Sequence, residues 1–184
     1  MPAGMPLGGA RRLQRRHELR SPLCAARRRV ILNRTMPTPG RRDAYGDLLE
    51  DHERWFGKAA LERRTAQWTA MLTPGDPQYG RSTIAVGCAP DGQVVGFATG
   101  GETRDEDAPR PLELFALYTD SAWHGTGLGR ALVEAVIGDE PASVWVAAEN
   151  PRARRFYEKL GFKADGAEKV EEHLANLRDI RMVR

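Results

Sequence analysis

Apolar and polar positions alternate in a way that marks two strand-to-helix units in the second half of the chain. Residues 112–118 read Leu-Glu-Leu-Phe-Ala-Leu-Tyr, a nearly continuous apolar run of the kind a strand covered on both faces requires. Leu128, Leu132, Ala135 and Val136 then recur at i, i+4, i+7 and i+8, which predicts a helix with one apolar face before Gly138 and Pro141 stop it. The second unit opens on the apolar residues 144–148, with Glu149 at the strand's end. Asn150 then supplies an N-cap, Pro151 the first helical position, and Gly161 the residue past the helix end. Ala153, Phe156, Tyr157 and Leu160 share one face of that helix.

Weaker patterns fill in the rest. Residues 43–56 and 58–72 read as helices, with Leu48, Leu49, Trp55, Leu61, Trp68 and Leu72 as apolar contacts. Residues 73–79 form a turn-rich break. Residues 83–88 and 94–99 read as paired strands around Pro90-Asp91-Gly92, 101–111 as a charged loop, and 180–183 as a last strand. Residues 30–33 are a candidate first strand. His173 sits in a charged, helix-like stretch and reads as a surface residue rather than a ligand.

The turn of the first unit carries chemistry. His124-Gly125-Thr126-Gly127-Leu128-Gly129-Arg130 alternates glycine with other residues between a strand and a helix. The backbone there is free to curl and aim successive N–H groups at one point, and the helix start adds unpaired donors and the positive end of its dipole. A phosphate or pyrophosphate is the natural guest. The dinucleotide fingerprint G-x-G-x-x-G does not fit, because counting from Gly125 or Gly127 its last position falls on Arg130 or Leu132. A phosphate loop ending in Gly-Lys-Ser or Gly-Lys-Thr is absent as well.

Over about residues 82–184 the two units together resemble the GCN5-related N-acetyltransferase (GNAT) family. That family's glycine motif is Arg or Gln, two residues, Gly, one residue, then Gly or Ala. It falls on His124, Gly127 and Gly129, with His124 departing from the usual Arg or Gln. The run from Asn150 through Phe156, Tyr157, Gly161 and Phe162 fits the family's second block. The resemblance implies a single α/β domain with the acyl-CoA N-acyltransferase fold, a mixed and mostly antiparallel sheet flanked by helices. It also implies acetyl-CoA as acyl donor and an amine as acceptor, either on a small molecule or on a protein N-terminus or lysine.

Residue roles follow from the same resemblance. The strand before the glycine motif would splay from its neighbour and pair through Leu117, Tyr118 and Thr119 with the pantetheine arm. Residues 124–130 (His124, Gly125, Thr126, Gly127, Leu128, Gly129 and Arg130) would hold the pyrophosphate, chiefly through backbone N–H groups. Arg130 would add a charged contact or else be a solvated helix-face residue. Asn150 would anchor the cofactor or a bridging water. Attack on a thioester needs a neutral amine, a polarised carbonyl and a proton for the departing thiolate. An N–H near Leu117 would polarise the carbonyl, and Tyr157 would supply the proton. Glu113, the lone charge in the apolar run 112–118, is a candidate base or else a solvent-facing strand start; Glu149 is the second candidate.

Charge divides the chain. Residues 1–42 hold eleven arginines against the single acid Glu18, so a segment of net +10 precedes a remainder of net −7 in a chain of net +3. This leader reads as a largely disordered tail ahead of a domain spanning 43–184, in preference to a nucleic-acid-binding arm. No apolar run approaches the ~18 residues of a membrane span and no secretory signal is evident, which points to a cytoplasmic protein without a membrane partner. Cys24 and Cys88 give no disulfide or metal pattern, and no ligand spacing suggests a metal site. GNAT proteins often form homodimers, although no self-complementary surface is legible here. Two rivals stand beside the enzyme: a non-catalytic acyl-CoA sensor on the same fold, and a nucleic-acid binder led by the arginine arm.

Overall fold

The fold is given by a computed structural model that describes residues 57–73, 82–171 and 176–184. In chain order its elements are α1 (Lys58–Leu72), β1 (Thr83–Cys88), β2 (Val94–Glu102), β3 (Leu112–Thr119), α2 (Leu128–Ile137), β4 (Ala142–Ala147), α3 (Pro151–Glu158), β5 (Lys163–Glu171) and β6 (Leu177–Val183). The strands make one sheet in the order β1-β2-β3-β4-β6-β5. Every neighbouring pair is antiparallel except β3 and β4. This is the mixed, mostly antiparallel α/β fold anticipated from the sequence.

Two apolar layers cover the sheet. On one face α2 and α3 bury Leu128, Leu132, Val133, Ile137 and Tyr157 against Ala98, Leu114, Val144, Val146 and Met182. On the other, Trp68 of α1 meets Phe97 edge-on at 4.8 Å, with Val86 and Tyr118 alongside. Close approach of α2 depends on small residues below it. A Cβ at Gly100 would lie 2.7 Å from Val136 and 2.8 Å from the Glu113 carbonyl oxygen, so any side chain there would push helix and strand apart.

A bulge in β3 decides which side chains face which layer. Register runs from Thr99↔Ala116 to Gly100↔Leu114, leaving Phe115 as an extra residue. Strand alternation is thereby reset, and Leu114 and Leu117 both turn toward the α2 layer. Ala116 and Tyr118 turn toward α1.

Several sequence expectations need correction. The apolar face of α2 is Leu128, Leu132, Val133 and Ile137, with Val136 partly buried and Ala135 exposed. Leu61 is 42% exposed and belongs to no core cluster, so the inward face of α1 rests on Ala60 and Trp68, with Met71 and the expected Leu72 packed beside Trp68. Strand β2 runs through Gly100 and Gly101 to Glu102, shortening the expected loop, and β6 begins at Leu177. Residues 163–171, to which no element was assigned from the sequence, form strand β5; its polarity is that of an edge strand, which charge protects from pairing with other chains. The candidate strand at 30–33, the helix at 43–56 with Leu48, Leu49 and Trp55, most of the break at 73–79, and His173 lie outside the described residues. No helix among the described residues is long and apolar enough to cross a membrane.

The two readings of the α2 face separate by mutation. Val133→Ala should cost about 1–3 kcal/mol in urea unfolding, whereas Ala135→Ser should stay within about 0.5 kcal/mol of the parent.

Candidate active site

Strands β3 and β4 pair at three positions only: Leu112↔Ala142, Glu113↔Ser143 and Leu114↔Val144. Beyond them the strands separate. Residues 115–119 of β3 keep β2 on one side and lose β4 on the other. A cavity of about 680 Å³ opens in the fork, closed at one side by the glycine turn and α2 and at the other by α3.

The turn is built from short polar links. Asp120 accepts the Ala122 N–H at 3.1 Å, capping a single 3₁₀ turn at Ser121–Trp123. The Thr126 hydroxyl donates to the Trp123 carbonyl at 2.8 Å and accepts from the Leu128 N–H at 3.4 Å. Gly125 and Gly127 sit at φ +77° and +91°, the left-handed region that favours glycine. With the Leu128 N–H taken and Ala131 bonded to the Gly127 carbonyl, helix geometry leaves the Gly129 and Arg130 N–H groups as the donors at the start of α2. Both residues line the cavity.

Most of the sequence-derived site residues meet here. Leu117, Tyr118, Thr119, His124, Gly125, Gly127, Gly129, Arg130, Asn150 and Tyr157 all border the cavity. Leu128 does not: its side chain is fully buried under the sheet. Thr126 is exposed and outside the lining, and its hydroxyl braces the turn. Asn150 caps α3 by accepting the Ala153 N–H at 3.0 Å, which fixes the helix start at the cavity wall. His124 uses its ring: Nδ1 lies 3.1 Å from a guanidinium nitrogen of Arg152, so it accepts from the arginine.

The carboxylates are placed differently. Glu113 is only 5% exposed, which overturns the solvent-facing alternative. It stands in the closed half of the β3–β4 pair and does not line the cavity. Its carboxylate accepts the Arg104 backbone N–H at 3.3 Å and lies 3.5 Å from the Arg104 guanidinium. Glu149 is exposed, outside the lining, and 3.6 Å from Arg178.

Tyr157 is the buried ionisable group of the cavity. Phe156 and Phe162 pack edge-on against its ring at 5.2 and 5.7 Å. Desolvation pushes its pKa well above the ordinary tyrosine value, and the neighbouring Tyr118 adds to the shift. The phenol therefore stays neutral, and a donor, throughout the physiological range.

Sequence reasoning passed over other lining residues. Phe115 and Trp145 form the floor of the fork, Phe115 under the Arg104 guanidinium at 4.0 Å and Trp145 donating its indole N–H to Asp105 at 2.8 Å. Phe115 is visible only through the bulge. Arg152, Arg155 and Lys159 also line the cavity. Their i, i+3, i+7 spacing was a readable signal.

A forked parallel pair with a glycine turn at its mouth is the architecture of an acyl-CoA-type transferase fold, and the comparisons agree. Residues 43–162 match the model of the acetyltransferase (GNAT) family, and the chain belongs to that family. It is 36% identical over 100 residues to the uncharacterized N-acetyltransferase Rv2669 of Mycobacterium tuberculosis, a stretch covering 51% of this chain and 62% of that protein. The match thus spans about three fifths of the length of the mycobacterial relatives. Among solved structures, PH1933 of Pyrococcus horikoshii superposes with a TM-score of 0.56 at 21% identity, covering 79% of this chain and 85% of that one. The PaiA N-acetyltransferase of Thermoplasma acidophilum, solved in complex with coenzyme A, gives 0.51 at 15% identity, covering 79% and 86%.

Burial of Tyr157 has a consequence at high pH. The unfolded chain loses this proton near pH 10 while the folded chain keeps it, so stability falls as pH rises above about 10, by up to ~1.4 kcal/mol per unit. Tyr157→Phe should flatten that fall in urea titrations between pH 9 and 11 and leave the slope at pH 7–8 unchanged.

Proposed function

We propose that the protein is an N-acetyltransferase taking the acetyl group of acetyl-CoA to an amine of a small molecule or of a protein N-terminus or lysine. The fork between β3 and β4 carries this reading. It leaves residues 115–119 of β3 without β4 as a strand neighbour, along a cavity that leads straight to the N-terminus of α2. An extended amide-bearing arm ending in a pyrophosphate fits that path. The coenzyme A complex of the PaiA protein supports the choice of donor.

Acetyl-CoA supplies an activated thioester, and the chain's own residues do the positioning. Leu117, Tyr118 and Thr119 hold the arm through their backbone, and an N–H near Leu117 polarises the carbonyl. The turn from Gly125 to Arg130 and the start of α3 at Asn150 fix the other end. Tyr157, neutral because it is buried, donates its proton to the departing thiolate. Glu113 shares a sheet face with Ala116 and Tyr118, at the closed end of the fork, and takes the amine's proton through intervening water. Arg104 holds its carboxylate in place through a backbone N–H and its guanidinium. Alignment of amine and carbonyl supplies most of the acceleration, and no covalent enzyme intermediate is needed.

Acetyl-CoA at about a hundred times its dissociation constant should add ~2.7 kcal/mol of stability in a thermal-shift titration, while NAD should add nothing. Gly127→Trp should abolish the shift with the circular dichroism spectrum retained. A parent protein that ignores acetyl-CoA would sink the reading.

With an accepted amine in hand, thiol release should show Tyr157→Phe and Glu113→Gln each lowering kcat about a hundredfold. The KM for acetyl-CoA should change less than threefold. An unchanged kcat in either variant removes that residue from the chemistry.

A further inference from the structure

Four cations line the fork cavity: Arg130 from α2, Arg152 and Arg155 from α3, and Lys159 at the C-cap of α3. None is ion-paired to a carboxylate among the described residues, and Glu158 on the same helix stays outside the lining. That is a large uncompensated charge for one wall of one cavity. The glycine turn already offers backbone N–H groups to a pyrophosphate, so the side chains exceed what that group requires.

Their arrangement divides them. Arg152 is tied to the turn, its guanidinium donating to His124 Nδ1 at 3.1 Å. His124, standing where the family pattern has Arg or Gln, thereby brings a guanidinium to the turn from the neighbouring helix. Arg155 and Lys159 lie one and two turns further along the same face of α3, and seven residues of helix put Lys159 about 10 Å from Arg152. Arg130 reaches the far end, donating to the Lys159 carbonyl at 3.3 Å. Gly129, between the turn and Arg130, packs a bare backbone near the Phe156 ring and lets the two helices meet there.

Resting on the acetyl-CoA reading above, we propose that Arg130, Arg155 and Lys159 form a second anion subsite that takes the 3′-phosphate of the donor, while Arg152, held by His124, serves the pyrophosphate. The total charge fits the donor. A pyrophosphate diester carries two negative charges, and a phosphomonoester carries about 1.5 to 2 at neutral pH, so four cations match the donor's phosphates almost fully. The subsite makes the protein selective for acetyl-CoA over the same thioester without its 3′-phosphate.

Isothermal titration calorimetry of acetyl-CoA and acetyl-3′-dephospho-CoA, at low salt, tests this on the full chain. The parent should bind acetyl-CoA about tenfold more tightly, with the ratio shrinking as salt rises, because the cations are exposed. Arg155→Gln/Lys159→Gln should bring the ratio near one and leave binding of the dephospho compound unchanged. Arg152→Gln should weaken both compounds alike. Equal affinities in the parent overturn the subsite without any variant, and so does a double variant that weakens both compounds equally. If the parent binds neither thioester, the donor reading itself falls, and that result is distinct from equal binding.

Discussion

Backbone N–H and C=O groups on β3 beyond Leu114 have a strand partner on one side only, and the rest of the site follows from that. Buried main-chain polar groups must be satisfied, so a strand left half-paired inside a cavity is held open for water or for a ligand that offers donors and acceptors in strand-like order. The fork persists because its arms are clamped elsewhere. β2 pairs along β3 up to Thr119, β6 pairs along β4 to Ala147, and the buried faces of α2 and α3 sit beneath both arms. Three parallel pairs at the base are the hinge point from which both arms diverge.

Rigid packing near the fork gives the chemistry its setting. Tyr157 belongs to the core cluster and to the cavity wall at once, so the desolvation that keeps its phenol neutral is a by-product of the apolar face that anchors α3. Asn150 plays a similar double part: the bond that caps the helix also fixes the wall. Such sharing ties the geometry of the site to the stability of the domain.

Legibility in the sequence tracked how local the cause was. The glycine turn, the Asn150 cap and the Ala153, Phe156, Tyr157 and Leu160 face are set by residues within a few positions of one another, and they stood out. The bulge at Phe115 depends on which residue of β2 it meets, and no pattern in residues 112–118 announces it. Glu113 was ambiguous for the same reason: its neighbours Arg104 and Ser143 come from other parts of the chain. β5 hid because its charges serve an exposed edge, and Ala135 misled because a second apolar residue, Val133, carries the buried stripe one position round the helix.

The extra residue at Phe115 has a structural corollary. Because it resets the alternation of β3, side chains after it that face α1 are separated from those that face α2. Ala116 and Tyr118 border the cavity and the α1 layer, while Leu114 and Leu117 support the layer under α2. One strand then serves two layers at once, and a change on the face toward α1 leaves the packing under α2 in place.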